Sequence, residues 1–110
     1  MTIHIHRVIV RGFFDRLDDR QLAALRDAQA DHDILRSGFT HDGTLTYEPN
    51  ITAFSFRFEV RTTDEDGHDH HDAAMQIGIG RAEATLEEMG VGNKRLRATA
   101  ADMADVWRED

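Results

Sequence analysis

The sequence predicts a single α+β domain spanning residues 1–110, with the element order β-α-β-β-α-β. Three observations carry that prediction. Phe54, Phe56, Phe58 and Val60 alternate with Ser55, Arg57, Glu59 and Arg61, the period of a strand with one buried face. Asp18 followed by Gln21 has the spacing of a helix-opening capping box. Met75, Ile79, Ala82, Leu86 and Met89 recur at helical spacing and end at Gly90.

Taken in order, Ile3 to Val10 read as the first strand, with Val8 and Val10 on one face, Arg7 and Ile9 on the other, and a stop at Gly12. The first helix opens at Asp18, with Leu17 and Leu22 at the spacing of a hydrophobic staple. Leu22, Leu25, Ala28 and Leu35 form its stripe, which predicts a helix ending near Ser37-Gly38. Asp42-Gly43 marks a turn before a second strand, Thr44 to Tyr47. Pro49-Asn50 marks another turn, before a third strand, Ile51 to Thr62. Thr63 to Asp72 is a polar loop leading into the second helix, where Gly78 and Gly80 each weaken helix propensity by roughly 1 kcal/mol. Gly90 suits the left-handed residue just past a helix, with Val91 folding back. Lys94 to Ala100 alternates as a fourth strand, Leu96 and Ala98 against Arg95, Arg97 and Thr99. Met103, Val106 and Trp107 predict a short C-terminal helix.

Four strands and two helices in this order fit the ferredoxin-like split β-α-β sandwich. Its antiparallel sheet runs 4-1-3-2 with both helices on one face. The first and third strands, the most apolar, then fall in the centre.

Composition removes several function classes. The chain has no cysteine, so disulfides, thiolate nucleophiles and thiolate-held metals are excluded. No apolar stretch approaches the ~20 residues that span a bilayer. His4, His6, Arg7 and Arg11 interrupt any signal-peptide core, so the expected location is the cytoplasm, with no membrane partner. A formal charge of −8 opposes nucleic-acid binding, which depends on displacing counterions from phosphates. Lys94 is the only lysine, so arginine supplies the remaining cations; a GC-rich genome is the expected reason for that bias, with adaptation to salt as the weaker alternative.

Arg7-Val8-Ile9-Val10-Arg11-Gly12, Leu17-Asp18-Asp19 and His32-Asp33-Ile34-Leu35 are segments with a familiar counterpart. So are Gly43-Thr44-Leu45-Thr46-Tyr47 and Leu96-Arg97-Ala98-Thr99-Ala100, followed by Asp102-Met103. Together they resemble a family of short actinobacterial proteins known as a domain of unknown function, over nearly the whole chain. That resemblance carries over no catalytic residue. The expected fold is also similar to dimeric α+β barrel proteins, in which two sheets face each other around a lumen. The similarity implies a homodimer able to enclose a small molecule.

With both helices on the phenylalanine face, alternation leaves Arg7, Ile9, Arg11, Thr44, Thr46, Ser55, Arg57, Glu59, Arg61, Arg95, Arg97 and Thr99 on the other. Seven of these twelve are arginine or glutamate, and Ile9 is the only apolar one. Arg7, Arg57, Glu59 and Arg97 are the expected ligand-binding residues, because guanidinium forks recognise carboxylate or phosphate bidentately. The competing reading is a solvated face, or dimer salt bridges, in which the arginines do no more than block edge pairing. An RNA-recognition sheet is disfavoured, since its stacking aromatics would have to sit on this face.

The histidines divide into separate cases. His4 and His6 share a strand face, and His68, His70 and His71 cluster with Asp69 and Asp72 in the longest polar loop. Zinc sites need three or four convergent ligands on rigid elements, so no metal is expected here. Asp64-Glu65-Asp66-Gly67 opens like a calcium loop but lacks the later acidic ligands. His41, Asp42, His6 and Glu59 are the candidates for acid–base chemistry. No nucleophile elbow, phosphate loop or dinucleotide fingerprint is present, and no cofactor is implied. Three functions stay open: a protein that binds an amphipathic anion, such as a fatty acid or polyketide-like molecule; a ligand-free structural or regulatory homodimer; and a cofactor-free cyclase or monooxygenase using His41 or Glu59.

Overall fold

The computed structural model describes residues 3–32, 38–63 and 70–102. Within them lie β1 (Ile3–Asp15), α1 (Asp19–Asp27), a 3-10 turn (Gln29–His32), β2 (Thr44–Tyr47), β3 (Ala53–Thr63), α2 (His70–Met89) and β4 (Gly92–Asp102). The strands form one open antiparallel sheet in the order β2-β3-β1-β4, the order expected from the sequence read from the opposite edge.

The core lies between the sheet and the helices. Val8 and Val10 of β1 and Phe54, Phe56, Phe58 and Val60 of β3 meet Leu25 of α1 and Ala74, Ala82 and Leu86 of α2. Both helices therefore cover the same face. Phe54 and Phe56 meet edge to face, with ring centroids 5.7 Å apart. Gly78 lets α2 lie directly on β1, since a Cβ there would come 2.8 Å from Val8 Cγ1. What the sequence shows as a weak helix position is a contact point.

The helix ends follow local chemistry closely. Asp18 accepts from the Gln21 backbone N–H, and the Gln21 side chain accepts from the Asp18 N–H, closing the expected capping box. At the far end of α2, Gly90 has φ 71°, its N–H donates to Glu87, and the Val91 N–H reaches back to Leu86. This is a Schellman closure, and Val91 is buried behind it.

Several expectations are corrected. β1 does not stop at Gly12 but runs on to Asp15. Gly12 is there because a Cβ would meet Leu96 and Phe54, each at 2.8 Å. α1 ends at Asp27 rather than near Ser37, and tightens into the 3-10 turn. The Tyr47 hydroxyl donates to the Leu25 carbonyl, satisfying a last-turn acceptor from outside the helix, a contact no periodicity shows. β3 begins at Ala53, because Ile51 sits at φ 49° in a turn closed by its N–H to the Glu48 carbonyl. A β-branched residue is strained there, and its burial in the core holds it. In β4 the simple alternation breaks. The register passes from Arg11↔Arg97 to Phe13↔Lys94, so Arg95, at φ 57°, is the extra residue of a bulge. Lys94 replaces Arg95 opposite an outward-facing β1 residue. The expected C-terminal helix and the Asp64–Gly67 segment lie outside the described residues.

Candidate functional site

The uncovered face of the sheet collects the predicted site. Successive β1 residues alternate between faces, so Ile3, Ile5, Arg7, Ile9, Arg11 and Phe13 all point away from the helices. Ile9 is thus not the only apolar residue there. Ile5 lies on the same row, Phe13 is 37% exposed and Ile3 60% exposed. The expectation of a nearly all-polar face left out Ile3 and Ile5, which lie within the expected strand on the same alternation as Arg7, and Phe13, which joins them because β1 runs on to Asp15.

Register then decides which charges meet. Arg7 lies directly opposite Glu59, yet the Glu59 carboxylate pairs with Arg61 on its own strand at 3.5 Å. The Arg7 guanidinium instead lies 5.1 Å from the centre of the Phe39 ring, a cation–π contact. Phe39 precedes Thr40, whose carbonyl accepts from the Glu59 N–H and ties that segment alongside β3. Arg57 lies opposite Ile9, diagonal to both Arg7 and Arg11, and donates to Thr46 Oγ1 at 3.3 Å. Thr46 Oγ1 shares a second hydrogen bond with Ser55 Oγ at 2.9 Å, and Thr46 is only 4% exposed.

One row across the sheet is unusual in charge. Thr46, Ser55, Arg11 and Arg97 follow one another from β2 to β4, so two guanidiniums stand directly opposite each other. Like charges in that position destabilise a sheet. Among the described residues no carboxylate pairs with Arg11, Arg57 or Arg97. Arg11, Thr46 and Ser55 also line a cleft of about 460 Å³ at the β2–β3 hairpin, together with Ala53, Glu48 and Gln29. None of the four residues named from the sequence lines it: Arg97 and Arg57 neighbour Arg11, whereas Arg7 and Glu59 lie two rows further along the sheet. Arg11, one of the twelve expected on the face, is the cation inside it. Its pairing with Ser55 and Arg97 was the missing signal, and strand alternation alone does not supply a register.

Residues 1–109 match a family of unknown function, DUF6204. The chain belongs to the DUF6204 family. No curated protein and no solved structure matches it.

The acid–base candidates of this DUF6204 protein do not converge. His41 and Asp42 are 3.4 Å apart through Nδ1 and Oδ1 at a highly exposed corner. Arg81 of α2 donates to the His41 carbonyl at 3.1 Å and lies 3.4 Å from its Nε2. With Thr85 and Glu88 they border a cleft of about 220 Å³. This corner belongs to the helix side, whereas Glu59 faces the opposite side of the sheet. The two candidates proposed for a cyclase or monooxygenase thus share no site. His6 is fully buried, with Nε2 2.9 Å from Thr62 Oγ1. His4 lies beside it, ring centroids 6.4 Å apart. Among the described residues no group of three metal-binding side chains converges, and no helix is long and apolar enough to cross a membrane. His68, Asp69 and the side chains of His70 and His71 lie outside the described residues.

Proposed function

We propose that this chain is a small-molecule-binding protein that holds an amphipathic anion, of the fatty-acid or polyketide-like class, on its open sheet face. The observation that carries the proposal is the juxtaposition of Arg11, Arg97 and Arg57, none of them paired with a carboxylate among the described residues, beside a hydroxyl pair and a cleft that Glu48 also lines. A carboxylate or phosphate head group would relieve the guanidinium repulsion and accept charge-assisted bonds from these forks. Ile9 and Phe13 flank Arg11 along β1 and give an alkyl chain apolar contact on either side. Of Arg7, Arg57, Glu59 and Arg97, Arg57 and Arg97 adjoin that position, while Arg7 and Glu59 lie two rows further along the sheet, where Glu59 is held in a local ion pair with Arg61.

In the same proposal the fold is the ferredoxin-like sandwich and the working unit is a homodimer. A sheet covered on one side only leaves a face that pairing would shelter. A ligand-free structural dimer is the second reading, favoured by the exposure of Ile3 and Phe13.

Thermal shift with dodecanoate on wild type, Arg57→Ala and Arg57→Lys tests the binding reading. Arg57→Ala should weaken the ligand by about 1.5–3 kcal/mol, the range for hydrogen bonds to charged groups. Arg57→Lys should recover part of that loss, because an ammonium lacks the planar fork. Melting curves that dodecanoate leaves unmoved in all three proteins would rule out this ligand class.

A further inference from the structure

We infer that the head group this face holds is a dianion, a phosphate monoester on an apolar chain, and not a monocarboxylate. The inference rests on the proposed binding of an amphipathic anion and names the head-group chemistry of that same site.

Hydrogen-bond direction carries the first half of it. Arg57 Nη1 donates to Thr46 Oγ1 at 3.3 Å, and a guanidinium has no acceptor to offer in return. The Thr46 hydroxyl proton must then find another oxygen, because Thr46 is only 4% exposed and an unpaired buried hydroxyl is costly. Ser55 Oγ, 2.9 Å away, is the acceptor within reach. With its oxygen accepting from Thr46, half-buried Ser55 is left to donate its own proton into the cleft that it lines with Arg11. Arg11 stands directly opposite Ser55 on one side and Arg97 on the other. The row Ser55, Arg11, Arg97 therefore presents donors, and Arg57 orients the first of them through Thr46. Such a row suits a group made only of acceptors. A phosphate monoester has three terminal oxygens and, above its second pKa of about 6, a proton on none of them. A carboxylate has two oxygens, which a single guanidinium fork already occupies.

Charge carries the second half. Among the described residues, Arg11, Arg57 and Arg97 pair with no carboxylate, and the acid lining the cleft is Glu48. Glu48 follows the end of β2, so β3 separates it from Arg11 and it leaves the opposed Arg11 and Arg97 unneutralised. Three guanidiniums against one carboxylate leave +2 around the cleft. A monocarboxylate cancels half of that charge, and a dianion cancels all of it. Further along the face the charges are already matched, Lys94 with Asp15 at 3.6 Å and Arg61 with Glu59 at 3.5 Å.

Calorimetry with decyl phosphate, decyl sulfate and decanoate, each below its micelle concentration, tests the assignment. Decyl sulfate keeps the chain and the tetrahedral head but carries a single charge. At about pH 7.5 decyl phosphate should bind at least about tenfold more tightly than either, the equivalent of one more hydrogen bond to a charged group. At about pH 5, below the second phosphate pKa of about 6, that advantage should vanish, since the monoanion brings a P–O–H donor to a row of donors. Among the described residues no histidine lines the cleft, and protonating Glu48 would strengthen anion binding as pH falls, the opposite sign. Arg11→Gln should abolish the preference for phosphate over sulfate while keeping a cooperative melt. Equal affinities for the three ligands, unchanged with pH, would overturn the dianion and leave the binding reading standing. A phosphate preference that survives Arg11→Gln would overturn its placement on this row. Inorganic phosphate binding as tightly as decyl phosphate would keep the dianion and remove the amphipathic reading. No binding by any of these ligands would remove both proposals together.

Discussion

β1 and β3 each present two faces, and those faces live under opposite rules. On the helix side Val8, Val10, Phe56, Phe58 and Val60 are essentially without solvent exposure. Their immediate chain neighbours Arg7, Ile9, Arg11, Arg57 and Glu59 face outward from the same strands. The covered face is specified by shape. Phe56 and Phe58 stack with planes 9° apart, and Gly78 sits where one methyl would collide with Val8. The open face is specified by charge and register, and its strongest feature is an opposition of Arg11 and Arg97 that weakens the sheet. A strand can carry a like-charge pair on one side because burial on the other supplies the stability. One face holds the fold, and the other is free to hold a ligand.

Substitution should expose that division most clearly at adjacent positions. Phe58→Ala should cost about 3–5 kcal/mol, the range for emptying a buried aromatic position, and should be read by urea denaturation. Its neighbour Arg57→Ala should change the stability of the free protein by no more than about 0.5 kcal/mol. Comparable losses at both would break the distinction and make Arg57 a structural residue.

A smaller contrast lies within α2. Gly78→Ala should destabilise by about 1–3 kcal/mol through overpacking against Val8 and Val10. Gly80→Ala should instead stabilise by up to about 1 kcal/mol, since a Cβ there meets nothing within 4 Å and alanine is the better helix former. Thermal melts that move in the same direction for both would mean α2 does not rest on β1 as described.

The smallest effect sharpens the open face itself. Arg97→Gln should leave the melting temperature unchanged or raise it slightly in dilute chloride, because it relieves the repulsion from Arg11. The gain should shrink as salt rises and screens the pair. A fall in melting temperature would show that Arg97 has a stabilising partner.

The sequence by itself determined the elements whose causes are local. The Asp18–Gln21 capping box, the Gly90–Val91 helix closure, the Thr44–Tyr47 strand and the inward Phe54–Phe56–Phe58 face each depend on residues within a few positions of one another. Alternation also sufficed to put Arg7, Arg57, Glu59 and Arg97 on the open face, since side-chain direction in a strand repeats every two residues. Tertiary structure decided everything that depended on a partner distant in the chain. The end of α1 is met by Tyr47, Gly12 is required by Leu96 and Phe54, and the Arg95 bulge brings Lys94 rather than Arg95 to the open face. The opposition of Arg11 and Arg97, separated by 86 positions, exists only through the β1–β4 register. A period of two tells which face a side chain occupies but not how far along the neighbouring strand its partner lies. That offset is set by the packing of the covered face, where only one register fills the core.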